Sequence, residues 1–200
     1  MTTLELGVLV SGNGTNLQAI LDAIQRGALD ARVRLVISNR ADAFAIERAR
    51  RAGVAVRVLP HREYASREAF DEAMIAALRE ASVEWIVLAG FMRLLTPRFL
   101  RAFPGRVLNI HPSLLPDFPG THAIRDALEH GATVTGCTVH FVDDGVDTGP
   151  IIAQRRVPVL PGDDEASLAE RIHRAEHELY VEVLADIAAG RVEPPPVPEG

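Results

Sequence analysis

Short apolar runs alternate with helical stretches through the first 110 residues, and few folds accept that order. Leu6–Val10, Val33–Ile37, Ala55–Leu59, Trp85–Ala89 and Val107–Ile110 have the length and apolar character of buried strands. Between them, Asn16–Arg26 puts Leu17, Ile20, Leu21 and Ile24 on one helical face. Ala43–Ala52 reads as a second helix, and Ser66–Ala81 as a third with Phe70, Met74, Ala77 and Leu78 on its apolar side. Strand–helix alternation of this kind predicts an α/β fold, a parallel sheet wrapped by helices. The second half changes character. Thr133–Phe141 and Ile151–Val159 read as longer strands in an antiparallel or mixed edge. A long helix then runs from about Asp164 to Ala189 and stops at Gly190. One domain over residues 1–190 is expected, followed by a loose proline-rich tail over 191–200.

Charge and composition remove several classes of function. With 21 basic and 27 acidic residues the formal charge is −6, a poor match for nucleic acid or an anionic membrane. No apolar run approaches the roughly 20 residues of a membrane span. The N-terminal segment lacks the basic start of a secretory signal. Cys137 is the only cysteine, so an internal disulfide is impossible and a reducing, cytoplasmic location is expected. Every basic residue is arginine. Without lysine there can be no Schiff base, no pyridoxal lysine and no Walker-type phosphate lysine.

Three stretches carry candidate chemistry. Ser11-Gly12-Asn13-Gly14-Thr15-Asn16 joins the first strand to the first helix, where free N–H groups attract phosphate. The dinucleotide pattern fails, because Leu17 stands where its third glycine belongs and Asn39 where an acidic residue should end the second strand. A tight turn without ligand and a phosphate cradle both fit the loop. Asn109-Ile110-His111-Pro112 ends the fifth strand, and residues two apart on a strand face the same side. Asn109 and His111 would share one pocket at the carboxyl end of the sheet. Pro112 and Pro116 stiffen the loop that follows. Asp143, Asp144 and Asp147 lie in a turn whose spacing suits turn chemistry better than calcium. His173 and His177 stand four apart on the last helix, which reads as a solvated face rather than a metal site. Trp85, Phe91 and Cys137 read as packing residues.

These pieces together resemble the glycinamide ribonucleotide (phosphoribosylglycinamide) formyltransferase family over nearly the whole chain, roughly Leu6 to Ala188. The resemblance rests on Ser11–Ile20, Leu88–Arg93, Asn109–Pro116, Val139–Val142 and Asp147–Pro150, in that order. It implies a single-domain, Rossmann-like, mostly parallel sheet with helices on both faces. It implies 10-formyltetrahydrofolate as donor and glycinamide ribonucleotide as acceptor, with no metal. Asn109, His111 and Asp147 match the family's catalytic trio. Gly14, Thr15 and Asn16 match its acceptor-phosphate loop, and Glu176 an acceptor contact. Arg67, Met92, Arg93, Leu94, Leu95 and Asn109 match folate-binding positions, as do Asp143, Asp144, Gly145, Val146 and Asp147. Either a monomer or a homodimer is compatible with these residues.

The expected chemistry follows from the residue types. A neutral amine attacks the donor's formyl carbon and forms a tetrahedral oxyanion. Asn109 can donate a hydrogen bond to that oxygen, and His111 can stabilise it or move the proton between the two nitrogens. Asp147 can orient His111, directly or through water, and favour its charged form. A bulky residue at Gly14 is expected to block the approach of the acceptor's phosphate. A formyltetrahydrofolate deformylase and a methionyl-tRNA formyltransferase share part of this pattern. The first is expected to carry an extra N-terminal domain, the second a C-terminal domain and a basic RNA surface. A non-catalytic nucleotide-binding module would keep the loop but has no use for the trio.

Overall fold

The computed structural model describes residues 2–196. Seven strands form one sheet in the order β3-β2-β1-β4-β5-β6-β7. The parallel part holds β1 (Leu4–Val10), β2 (Ala31–Ser38), β3 (Val56–Val58), β4 (Trp85–Leu88) and β5 (Val107–His111). β6 (Val134–Phe141) runs antiparallel to β5, and β7 (Ile151–Pro158) antiparallel to β6. This is the edge expected from the two longer strands. From β1 the chain first winds outward through β2 and β3, then returns to β4 on the opposite side. β1 and β4 are therefore a topological switch point, where loops diverge and leave a crevice.

Alternation along the strands feeds two cores. Leu4, Leu6, Val8 and Val10 of β1 bury into one face, and Leu9 into the other. The first face is covered by α1 (Thr15–Gln25), α2 (Ala45–Arg51) and α6 (Glu165–Ala188), which contribute Leu17, Ile20, Ala49, Leu168, Ile172 and Leu179. The second is covered by α3 (Arg67–Glu80) and α4 (Pro97–Ala102), through Phe70, Met74, Leu78 and Phe99. Trp85 and Cys137 lie in the first core, and Phe91 packs against the second. Burial, reinforced by the charge of Glu176, pushes the Cys137 thiol up to about 12, so it is an inert packing group.

Caps define the helices. The Ser66 side chain accepts from the Ala69 N–H at the start of α3. Asp164 and Ser167 form a reciprocal capping box at the start of α6, which ends before Gly190 at φ 72°. Two further helices, α4 and α5 (Ala123–Glu129), are not announced by the sequence pattern. They have 6 and 7 residues, about two turns each. Beyond α6, Val192 packs on the first core and Pro194 and Pro195 lie beside Gly105; the last four positions of the tail, 197–200, fall outside the described residues.

Candidate functional site

The expected residues converge at the carboxyl ends of β1, β4 and β5. On β5, Leu108 and Ile110 enter the first core, so Asn109 and His111 point to the opposite side. The antiparallel register sets His140 across from Asn109 and Thr138 across from His111. His140 donates from Nδ1 to the Phe141 carbonyl (2.8 Å), because a carbonyl oxygen can only accept. Its Nε2 is then an acceptor, and the Asn109 amide donates to it at 3.2 Å. Burial depresses the His140 pKa, which keeps this neutral arrangement. The second N–H of the Asn109 amide remains for a ligand.

His111 is buried, with 4% of its surface exposed. Its Nε2 donates to the Phe118 carbonyl at 2.8 Å, and its Nδ1 faces Asp147 Oδ2 at 3.4 Å. The same carboxylate accepts the Gly120 N–H at 2.9 Å and lies 3.8 Å from His140 Nε2. Asp147 therefore ties the turn 142–150 to the loop 112–120. Its own backbone is left-handed, at φ 54°. Gly149 beside it can be nothing larger, since a Cβ there would sit 1.7 Å from the Phe141 carbonyl oxygen. Asp143 serves the turn itself, accepting from the Gly145 N–H and the Thr148 hydroxyl. Asp144, Gly145 and Val146 line the outer side of this turn and all three stand exposed.

The loop 112–120 is fastened from beneath. The Thr138 hydroxyl donates to the Ser113 carbonyl and accepts from the Leu115 N–H. The Ser113 hydroxyl donates to the Asp117 and Phe118 carbonyls.

The first loop forms a second cluster. Gly14 caps α1 at φ 78° with no side-chain bond to the helix, and no acidic residue occupies the first turn. The first N–H groups of α1 are thus left for an anion. Asn16 and Glu176, 160 positions apart, meet at 3.3 Å through the Asn16 amide and Glu176 Oε2. His173 donates from Nδ1 to the same oxygen at 2.8 Å, and this bond raises the His173 pKa. The pair His173 and His177 is therefore not simply a solvated face. His177 is half-buried, and its Nε2 has no partner among the described residues. Among the described residues no three His, Cys, Asp or Glu side chains gather into a metal-binding group, and no helix is long and apolar enough to cross a membrane. Thr15 lies half-exposed at the start of α1. Arg48, on α2, grips the loop by donating to the Asn13 carbonyl (2.8 Å) and to Asn13 Oδ1 (2.6 Å).

A third strip follows β4. Met92, Leu94 and Val146 account for three of the six large apolar side chains exposed among the described residues, and all three belong to the expected folate set. Arg67, at the start of α3, donates to the Leu94 carbonyl at 3.1 Å. Leu95 packs on the second core, and the buried Asp71 carboxylate accepts from both the N–H and the hydroxyl of Thr96, which anchors the end of the strip. The Met92 N–H donates to the Ser11 hydroxyl at 2.9 Å, and that hydroxyl donates to Asn39 Oδ1 at 2.6 Å. The first loop and the strip are thus one hydrogen-bonded unit.

Sequence reasoning misses His140, Arg48 and Asp71. For His140 a signal exists: a histidine inside the apolar run Val139–Val142 is costly unless paired. Its partner depends on strand register, which the sequence does not state. Arg48 and Asp71 leave no local signal.

A family model described as formyl transferase matches residues 5–184. Phosphoribosylglycinamide formyltransferase of Escherichia coli (strain K12) is 49% identical over 185 residues, covering 92% of this chain and 87% of its own length. The trifunctional purine biosynthetic protein adenosine-3 of Drosophila pseudoobscura pseudoobscura is 52% identical across 92% of this chain, which spans only 14% of that longer protein. The crystal structure of glycinamide ribonucleotide transformylase 1 from Symbiobacterium toebii superposes with a TM-score of 0.93 at 54% identity, covering 96% of this chain and 91% of the other. On fold, on sequence and over nearly its whole length, this chain belongs to the formyl transferase family.

Proposed function

We propose that this chain transfers the formyl group of 10-formyltetrahydrofolate to the amine of glycinamide ribonucleotide, and that Asn109, His111 and Asp147 carry the reaction. The observation that supports this most directly is the convergence of these three side chains, with His140 behind Asn109, at the rim of the β1/β4 crevice. The names borne by relatives near half identity point the same way.

In this reading the acceptor amine attacks the formyl carbon and a new C–N bond forms. The carbonyl oxygen becomes an oxyanion, which takes a hydrogen bond from the free N–H of Asn109. His111 stabilises the same charge and carries the proton from the attacking nitrogen to N10 of the donor as the old C–N bond breaks. Asp147 holds the imidazole ring. For Nε2 to take part, the Phe118 carbonyl must withdraw from it. Gly14, Thr15 and Asn16 with Glu176 receive the acceptor; Arg67, the strip 92–95 and the turn 143–147 receive the donor.

The test is spectroscopic turnover of the donor with and without glycinamide ribonucleotide. Turnover that requires the acceptor is expected, and rapid turnover without it would mean a hydrolase. Gly14→Val does not isolate the phosphate contact. Its Cβ would meet Ala45 Cβ at 2.5 Å and Cα at 2.8 Å, on a left-handed backbone. A Cβ at Gly12 would meet nothing within 4 Å, so Gly12→Val adds bulk at the loop mouth without that clash. It should raise the acceptor KM on the order of tenfold or more while leaving the donor KM near wild type. An unchanged acceptor KM would remove the phosphate from this loop.

A further inference from the structure

Three N–H groups of Arg48 are spent on the first loop and on the helix that follows it. Nε donates to the Asn13 carbonyl (2.8 Å), one terminal nitrogen to Asn13 Oδ1 (2.6 Å) and the other to Gln18 Oε1 (3.3 Å). The guanidinium lies over the Phe44 ring, 4.9 Å from its centroid. The stem packs against Gly14, where a Cβ would come within 3.4 Å of Arg48 Cδ. From the start of the same helix, the Ala45 N–H donates to the Gly12 carbonyl at 3.0 Å. α2 therefore braces Gly12, Asn13 and Gly14 in succession, while Arg48 ties the loop to the first turn of α1. A loop with two glycines would otherwise sample many shapes. Held in this way, it presents the first N–H groups of α1 before any ligand arrives.

The charge of Arg48 is not cancelled. No carboxylate partners it among the described residues, and Glu47 beside it is paired with Arg51. α1 has no acidic residue in its first turn, and Glu176 is taken by Asn16 and His173. The field of the guanidinium reaches α6. Burial lowers the His177 pKa, and His173 and Arg48 add to that lowering against the pull of Glu176. On a lysine-free chain of net charge −6, a cation without a carboxylate beside the N-terminus of α1 reverses the sign locally. We propose that Arg48 is a positioning residue of the acceptor site, which shapes the loop 12–14 and biases it toward a dianionic phosphate monoester over the same acceptor without phosphate. The inference rests on the reading of this loop as the acceptor's phosphate site. It adds that selectivity is set from α2, outside the loop and outside every motif that carries the family resemblance.

The experiment measures formyl transfer to glycinamide ribonucleotide and to the unphosphorylated riboside in wild type, Arg48→Gln and Arg48→Lys, over a range of salt. Wild type should favour the ribonucleotide, with a KM that rises as salt screens the site. Arg48→Gln should raise the ribonucleotide KM on the order of tenfold and flatten its salt dependence, with kcat and the donor KM within about twofold of wild type. The kcat/KM for the riboside should not move, an outcome that loss of packing alone would not give. Arg48→Lys keeps the charge but not the fork, so it should retain the salt dependence and recover only part of the KM. Arg48 is half-buried, and should Arg48→Gln fail to fold, Arg48→Lys still decides, because a wild-type KM there overturns the positioning role. A ribonucleotide KM unchanged in Arg48→Gln, or a loss shared equally by the riboside, overturns this inference alone. Wild type that uses riboside and ribonucleotide equally removes the phosphate from the loop, and this inference with it.

Discussion

His111 is held on two sides, by the Phe118 carbonyl and by Asp147, and its ring cannot turn without breaking one of these contacts. That is the arrangement a proton carrier needs, because orientation lost by even an ångström costs rate. His111→Ala and Asp147→Asn should each lower kcat on the order of 10²–10⁴-fold in protein that remains folded. Near-wild-type turnover in either purified variant would remove the trio from the mechanism. His140 acts one contact further out, by fixing which way the Asn109 amide points. His140→Ala should lower kcat about tenfold to a hundredfold with little change in either KM, and His140→Gln, which keeps an acceptor, should recover part of the loss. Equal defects in both variants would make His140 a packing residue only. Asn109 and His111 are legible as a pair because a strand's two-residue period is written in the sequence. Their dependence on His140 is not, since it arises only once β6 settles in register against β5.

At the scale of elements, α6 does more than cover the sheet. Tyr180 is fully buried, and its hydroxyl lies 3.0 Å from the Leu88 carbonyl and 3.1 Å from the Leu108 carbonyl. It thereby joins the ends of β4 and β5 to the helix that carries Glu176. Burial raises its pKa well above the ordinary range, so it serves only as a neutral hydroxyl. Tyr180→Phe leaves those carbonyls without this donor and should cost about 1–2 kcal/mol, read from the midpoint of urea unfolding. An unchanged midpoint would mean that the bond contributes nothing net. The long, strongly patterned elements are legible almost to the residue, as α3 and α6 show. The short helices α4 and α5 are not. Each covers about two turns, and the start of α4 is fixed by a tertiary contact, Asp71 with Thr96.

For the whole molecule, the bond between His173 and Glu176 links stability to pH. The His173 pKa is raised in the folded chain above its ordinary 6.5, chiefly by that hydrogen bond. Its contribution is therefore complete below about pH 6.5 and is lost as pH rises through the higher folded value. Wild type should have a higher Tm than His173→Gln at about pH 6, and the gap should close as pH rises through the higher folded value. A gap independent of pH would show that the pair is not ionic in solution. Since Glu176 also accepts from Asn16, the same titration reaches the mouth of the first loop.

The Phe118 carbonyl carries one more consequence. It occupies the nitrogen of His111 that the proposed reaction would use, so in that reading the free protein is its own weak competitor. A ligand that requires that nitrogen binds only the fraction of molecules whose loop has withdrawn, and its apparent affinity falls by that fraction. Whichever substrate draws the loop away first relieves the second of the same cost. By linkage that favour is mutual: in the proposed reaction donor and acceptor would each tighten the other's binding by an equal factor.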